Sequence, residues 1–281
     1  MRRNLAGRVI LITGASRGIG RRTAISLAPY GAKLALTSRS VDELASLAQE
    51  LQKQDVEVET FPCDLTDPAS RQKLVDDVVT KFGQLDVLIN SAGVASFGEF
   101  ATSTPEIVRK VTEINFFAPV EMMRLVQPHL LQSAIGGWQP AIVNVASLCG
   151  RCGIPSLSEH CGSKHALVGL TEAVRIEFAR YDIDVLLVLP GVVRSDDLNR
   201  HLLRNEGKIY LNFDTAQRPE AVGESVVRSL IHNRTETAVG FVSWWVWFCK
   251  RAAPRLLRWV MKRKVEKFAV REKMEKTFRQ D

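Results

Sequence analysis

Thr13-Gly14-Ala15-Ser16-Arg17-Gly18-Ile19-Gly20 follows the apolar run Val9-Ile10-Leu11-Ile12 and opens a segment, Arg21 to Ala28, that reads as helix. Strand, glycine-rich turn, helix is the context that separates a dinucleotide site from a chance cluster of glycines. Glycines let the backbone turn sharply and approach a pyrophosphate, and the free N–H groups of a helix start point at the anion. The bland alternative is a tight turn with no ligand. The remaining chain decides between the two.

The 281 residues are 46% hydrophobic and 25% charged, enough to bury one sizeable α/β core. Apolar, β-branched runs alternate with amphipathic segments, which predicts a doubly wound parallel sheet with helices on both faces, a Rossmann-like α/β fold. Strands are expected at Lys33 to Thr37, Val56 to Phe61, Leu85 to Ile89, Ala141 to Val145 and Val185 to Leu189. Ala238 to Val242 offers a last one. Helical spacing marks Val41 to Lys53, the stretch after Pro68, Pro105 to Gln132, Ser158 to Arg180 and Pro219 to His232. Pro119 and Pro128 predict a kink or break in the third of these. Arg194 to Gln217 has no clean period and reads as an excursion outside the sheet. One domain over 1–242, followed by a tail over 243–281, is the organisation expected.

The five cysteines, Cys63, Cys149, Cys152, Cys161 and Cys249, are an odd set without a framework spacing, which favours a reducing compartment. Cys149-x-x-Cys152 has no second ligand pair, so these thiols read as structural and no metal site is expected. No early apolar run is long enough to span a bilayer, and Met1-Arg2-Arg3 leads straight into the first strand. The expectation is a cytoplasmic protein without a cleaved leader. Charge is uneven. Between Lys250 and Asp281 twelve Lys/Arg stand against four Asp/Glu, so the tail carries +8 of a net +7 and the remainder −1. The body is not a polyanion binder, and without a recognition motif no nucleic-acid role is expected.

The spacing Gly-x-x-x-Gly-x-Gly resembles the cofactor loop of the short-chain dehydrogenase/reductase family, and motif order keeps the resemblance over about residues 5 to 242. The resemblance implies that Thr13, Gly14, Ser16, Arg17, Gly18, Ile19 and Gly20 hold a nicotinamide dinucleotide. Asp64 would contact its adenine. Asn90 and Gly93, in Asn90-Ser91-Ala92-Gly93, match the family's element beside the cofactor. Pro190 and Gly191 match a further turn on that side, and Ser195 a weaker carboxamide contact. Charge indicates which dinucleotide. The second strand ends Thr37-Ser38-Arg39 with no carboxylate before Asp42, and Arg17 lies in the glycine loop. Guanidiniums suit a 2′-phosphate, so NADP(H) is the cofactor expected.

The family's catalytic set is an Asn, a Ser, a Tyr and a Lys, the last two four residues apart on one helix. Asn115 fits the first, tethering a relay water, and Ser147 the second, donating to the developing oxyanion. Lys164 in Ser163-Lys164-His165-Ala166 fits the fourth, on the nicotinamide ribose. Four residues back stands His160, and none of Tyr30, Tyr181 and Tyr210 has the right offset. An imidazole can exchange protons near neutrality, and a cationic neighbour would keep it neutral. The reading is an oxidoreductase with an altered acid/base. The alternative is a catalytically impaired nucleotide-binding regulator or scaffold. The other histidines, His129, His165, His201 and His232, read as structural or surface.

Leu148, Ile154, Leu157 and the apolar residues of the excursion (Leu198, Leu202, Leu203, Ile209, Leu211, Phe213) are the expected substrate walls, which suits a lipophilic carbonyl or alcohol. Four of the five tryptophans fall between Trp244 and Trp259, beside a basic stripe. Residues 244–281 suit an anionic membrane surface, peripherally bound, or a helix packed on the domain or on a second copy. Both stay open, and with them a homo-oligomer.

Overall fold

The computed structural model describes residues 3–194, 202–203, 216–260 and 262–263. Seven strands form one parallel sheet: β1 (Val9–Thr13), β2 (Lys33–Thr37), β3 (Val58–Thr60), β4 (Val87–Asn90), β5 (Ala141–Val145), β6 (Asp184–Leu189) and β7 (Glu236–Ala238). Their order is β3-β2-β1-β4-β5-β6-β7. All six pairings are parallel, so each connection crosses a face of the sheet. The expected doubly wound α/β architecture is the one present.

The crossover helices are α1 (Gly18–Leu27), α2 (Val41–Gln52), α3 (Pro68–Phe82), α4 (Pro105–Thr112), α5 (Ala118–Ile135), α6 (Ser158–Ala179) and α7 (Pro219–Ile231), followed by α8 (Phe241–Ala252). Strand periodicity assigns their cores. Ile10 and Ile12 of β1 face one layer with Leu27, Leu44, Leu47, Val222, Val226 and Leu230. Val9 and Leu11 face the other with Leu74, Val78, Met122, Val126 and Leu130. Every residue of β1, β4 and β5 is buried, which is why those strands read as continuous apolar runs.

Two expected features differ in detail. The helical stretch after Pro105 breaks ahead of its prolines, at a single π turn over Glu113–Phe117 between α4 and α5. Pro119 sits at the start of α5, where a missing N–H costs no bond, and α5 runs through Pro128 to Ile135. The last strand lies earlier than Ala238 to Val242. The left-handed glycine Gly240 ends the approach to α8, which begins at Phe241, two residues before the tail boundary expected from composition. Most of the excursion, Ser195 included, lies outside the described residues; Val193 and Gln217 form a parallel bridge across its neck.

Chain order reverses at β1. From there the chain runs outward through β2 and β3, then returns to place β4 on the other side of β1. The two crossovers leave in opposite directions from the C-terminal ends of β1 and β4 and open a crevice between them, the position at which this architecture takes ligands.

Candidate active site

The crevice is a cleft of about 310 Å³ lined by the Gly14–Gly20 loop, Ser38 to Ser40, Cys63 to Thr66, and Ser91 to Val94. Gly14 has φ +67°, and a Cβ there would stand 2.7 Å from the Ala92 Cα. At Gly20 a Cβ would lie 2.2 Å from the Gly14 carbonyl oxygen. The loop is thus packed down to bare backbone against the β4 end. No side chain caps the first turn of α1, whose N-cap is Arg17. Backbone N–H groups at such a helix start suit a pyrophosphate. The donor set and the bare cradle fit a dinucleotide.

At the rim, Arg39 is exposed beside Ser38 and Ser40, and its charge reaches Asp64. The Asp64 carboxylate accepts from the Thr66 N–H and hydroxyl, both at 2.9 Å. The backbone hydrogen bond is the main cause holding its pKa below the ordinary aspartate value. Arg17 lines the cleft as well, with its guanidinium 3.8 Å from Glu43 on α2. Of the two arginines expected to face a 2′-phosphate, Arg39 is therefore the one without a carboxylate drawn across it in an ion pair among the described residues.

Thr13 and Asn90 serve the cleft from beneath. Thr13 Oγ1 accepts from the backbone N–H of Ser91 and Ala92, at 3.0 and 3.1 Å, fixing the wall that faces Gly14. Asn90 is buried and donates to Asn144 Oδ1 at 2.9 Å and the Pro119 carbonyl at 3.3 Å. Neither side chain lines the cleft; both hold the backbone that does. Pro190 offers its carbonyl to the Leu148 N–H at 2.7 Å, and the Gly191 N–H donates to Gln217 Oε1 at 3.3 Å.

Next to Gly93 three of the four expected catalytic positions come together, Asn115 from the π turn and His160 and Lys164 from α6. A Cβ on Gly93 would stand 3.2 Å from Asn115 Oδ1 and 3.6 Å from Lys164 Nζ, so glycine lets both approach this wall. Asn115 comes from the π turn, which swings it inward, fully buried. Its Oδ1 accepts from the Val94 N–H at 2.9 Å, and its amide hydrogens go to the Val94 carbonyl at 2.9 Å and Ser163 Oγ at 3.0 Å. Both donors are committed. The Asn115 side chain is thus a clamp on Val94.

That clamp determines the state of His160. The imidazole Nδ1 lies 3.1 Å from the Val94 carbonyl and 3.4 Å from Asn115 Nδ2. A carbonyl can only accept, and Asn115 has no third hydrogen to give. Nδ1 must therefore carry the proton, which leaves Nε2 with a free lone pair. Burial, then the Lys164 charge, lower the His160 pKa to about 4, so the ring is neutral at pH 7. Lys164, one turn along α6, is 4% exposed and donates to the Val145 carbonyl at 3.1 Å. Burial brings its pKa down to about 8. Ser147, just past the end of β5, accepts from the Cys149 N–H at 3.1 Å, and its hydroxyl lies 3.5 Å from the Pro190 carbonyl and in hydrogen-bonding contact with the Cys149 sulfur.

Leu148 and Leu157, expected as substrate walls, are 6% and 7% exposed. Leu157 packs with Phe97, Cys149 and Cys161, joined by Ile154 and Leu202. These two leucines are chiefly packing, and Ile154 and Leu202 keep accessible surface. Leu198, Ile209, Leu211 and Phe213 lie outside the described residues. Cys63, Cys149, Cys152 and Cys161 are buried free thiols. Val94 and Ser163 carry no sequence signal of their own; both enter only because Asn115 reaches them.

The family model for short chain dehydrogenase matches residues 8–206. The 11-beta-hydroxysteroid dehydrogenase 1A of Arabidopsis thaliana is 33% identical over 91% of this chain and 75% of its own. Among solved structures, a short chain dehydrogenase/reductase from Burkholderia phymatum in complex with NAD superposes with TM-score 0.74. It is 26% identical over 83% of this chain and 89% of its own. A metagenomic short-chain oxidoreductase in complex with NADP gives TM-score 0.68, at 27% identity over 81% of this chain and 92% of its own.

Proposed function

The chain belongs to the short-chain dehydrogenase/reductase family and is an oxidoreductase with a nicotinamide cofactor; from that premise we propose that it uses NADP(H) and acts on a lipophilic carbonyl/alcohol pair, with His160 as its acid/base. The observation that carries the reading is the imidazole whose Nδ1 proton is tied to the Val94 carbonyl, beside Lys164 and the dinucleotide cleft.

A bound nicotinamide supplies the hydride acceptor or donor. The Gly14–Gly20 backbone would hold the pyrophosphate, Arg39 a 2′-phosphate, Asp64 the adenine side, and Lys164 the nicotinamide ribose. Ser147 aims its hydroxyl at the substrate oxygen and stabilises the charge that develops there. His160 Nε2 is a proton acceptor at neutral pH, so it takes the hydroxyl proton of an alcohol as the carbonyl forms. In the reverse direction the same atom must first be protonated, which a pKa of about 4 resists. An imidazole is shorter than a phenol, and a water between Nε2 and the substrate oxygen spans the difference. Asn115 acts through Val94: it holds the carbonyl that selects the tautomer. The apolar surface of Ile154 and Leu202 supports a lipophilic substrate.

The cofactor assignment is tested by titration. NADPH is expected to bind more tightly than NADH, and Arg39→Ala to remove most of the difference, because the rim then lacks its forked cation. Equal affinities in the unmodified chain would refute it. For the substrate, NADP⁺ reduction is followed over a panel of secondary alcohols graded in apolar size. Rates that rise with apolar size support the reading, and a preference for sugars overturns it.

A further inference from the structure

The two faces of α8 are used differently. One face attaches to the body. Ser243 is 1% exposed, and Trp247 packs on Ala146, Leu167, Leu187 and Leu189 while its indole N–H donates to Glu236 Oε1 at 3.1 Å. The other face carries Phe241, Trp244, Trp245 and Phe248 at i, i+3, i+4 and i+7. All four are exposed, from 42% to 70%. They form one ring cluster, with Trp244 and Phe248 stacked nearly parallel at 5.5 Å and Trp245 edge-on to Phe248 at 5.8 Å. Leu256, Trp259 and Val260 extend the exposed apolar surface along the helical residues 254–260. Large aromatics set outward together on a helix anchored by its other face are not packing of the domain on itself.

We propose that this face docks on an anionic lipid bilayer, lying in the headgroup layer with its rings inserted. Charge selects the occupant. Between Phe241 and Arg263 the sequence has six Lys/Arg and no Asp/Glu, and all six are exposed. The guanidinium of Arg263 rests over the Trp259 ring at 4.0 Å and that of Arg251 over Trp247 at 5.1 Å, and all six cations follow the Phe241–Phe248 rings in the chain. A second copy meeting this face about a two-fold axis would bring like charges together with no acid to pair them. Anionic headgroups pair them, and indole rings suit the interface between headgroup and hydrocarbon. None of the helices over the described residues is long and apolar enough to cross a membrane. The geometry is that of a helix lying flat on the surface. The body, at net −1, adds no attraction of its own, so binding resides in the tail.

The test sediments the full chain with phosphatidylcholine vesicles, with and without phosphatidylserine, at low and high salt. Binding is expected only with phosphatidylserine, falling about tenfold or more as salt rises. Trp244→Glu with Trp245→Glu is expected to abolish it, with NADPH affinity unchanged as the control for folding. Should that pair fail the control, Arg255→Glu with Arg258→Glu is the second variant, with the same loss expected. Absence of binding to phosphatidylserine vesicles at low salt overturns the proposal, as does binding equal in folded variants and parent. A concentration-dependent dimer that the tryptophan pair dissolves also overturns it, assigning the face to a second copy. The cofactor proposal is read in a separate titration, so either can fail alone.

Discussion

Lys164 carries its ammonium into the interior, 4% exposed, with the Val145 carbonyl as its acceptor. Its folded pKa of about 8 lies below the 10.5 of an unburied lysine. The unfolded chain therefore binds that proton more tightly, and stability rises as pH climbs from about 8 to 10.5. Below that window the buried charge costs roughly 3 kcal/mol. Lys164→Met keeps the length and removes the charge, but also the bond to Val145. Its melting temperature is expected to exceed the parent's by several degrees at pH 7, with the gap closing toward pH 10.5, while turnover collapses. A variant less stable than the parent across this range would show that the ammonium is a structural asset. His160 titrates in the same sense: neutral when folded, it withdraws stability as pH falls from about 6.5 toward 4. Position 160 was readable in the sequence as an imidazole one turn before a lysine. Its tautomer was not, because Val94, 66 positions away, sets it.

The π turn over Glu113–Phe117 delivers Asn115, and its anchor lies on another helix. Arg71 of α3, 1% exposed, pairs with Glu113 at 2.9 Å and with Glu121 of α5 at 2.6 Å, and also donates to the Leu65 carbonyl. One forked cation thus ties the start of the turn and the helix that follows it to α3. Nothing around Ser70-Arg71-Gln72 marks that arginine as internal, since a lone Arg amid polar residues reads as solvated surface. The prolines misled in the same region: they announced a break, but the break falls where the turn carries Asn115 inward. Arg71→Met is expected to cost about 2–3 kcal/mol, less than a fully buried pair because both carboxylates keep contact with water. Turnover should fall with it while NADPH affinity holds, and Arg71→Lys should recover stability only in part. Thermal melts and a split of kcat from cofactor affinity read both effects. An Arg71→Met chain with unchanged melting and turnover would remove the anchor from this description.

Across the molecule, apolar alternation and the glycine turn were enough to read the parallel sheet and the position of the cleft, because buried parallel strands leave an unmistakable run of apolar residues. Contacts between distant segments were not readable: Asn115 with Val94 and His160, Arg71 with Glu121, Trp247 with Glu236. The first of these sets the direction of the imidazole proton and leaves the lone pair on Nε2, and no local pattern encodes any of them. The proposed reaction follows from that direction, and one measurement probes it: the pH dependence of NADP⁺-linked oxidation of a lipophilic secondary alcohol, in the unmodified chain, His160→Ala and His160→Tyr. With His160 as a neutral base of pKa about 4, kcat/KM is expected to stay flat from about pH 5 to 7, where an ordinary histidine would still be gaining activity. His160→Ala should lower it about a hundredfold or more with NADPH affinity intact, and His160→Tyr should hold or raise it. Activity that climbs through pH 6.5, or turnover untouched by His160→Ala, would contradict the assignment.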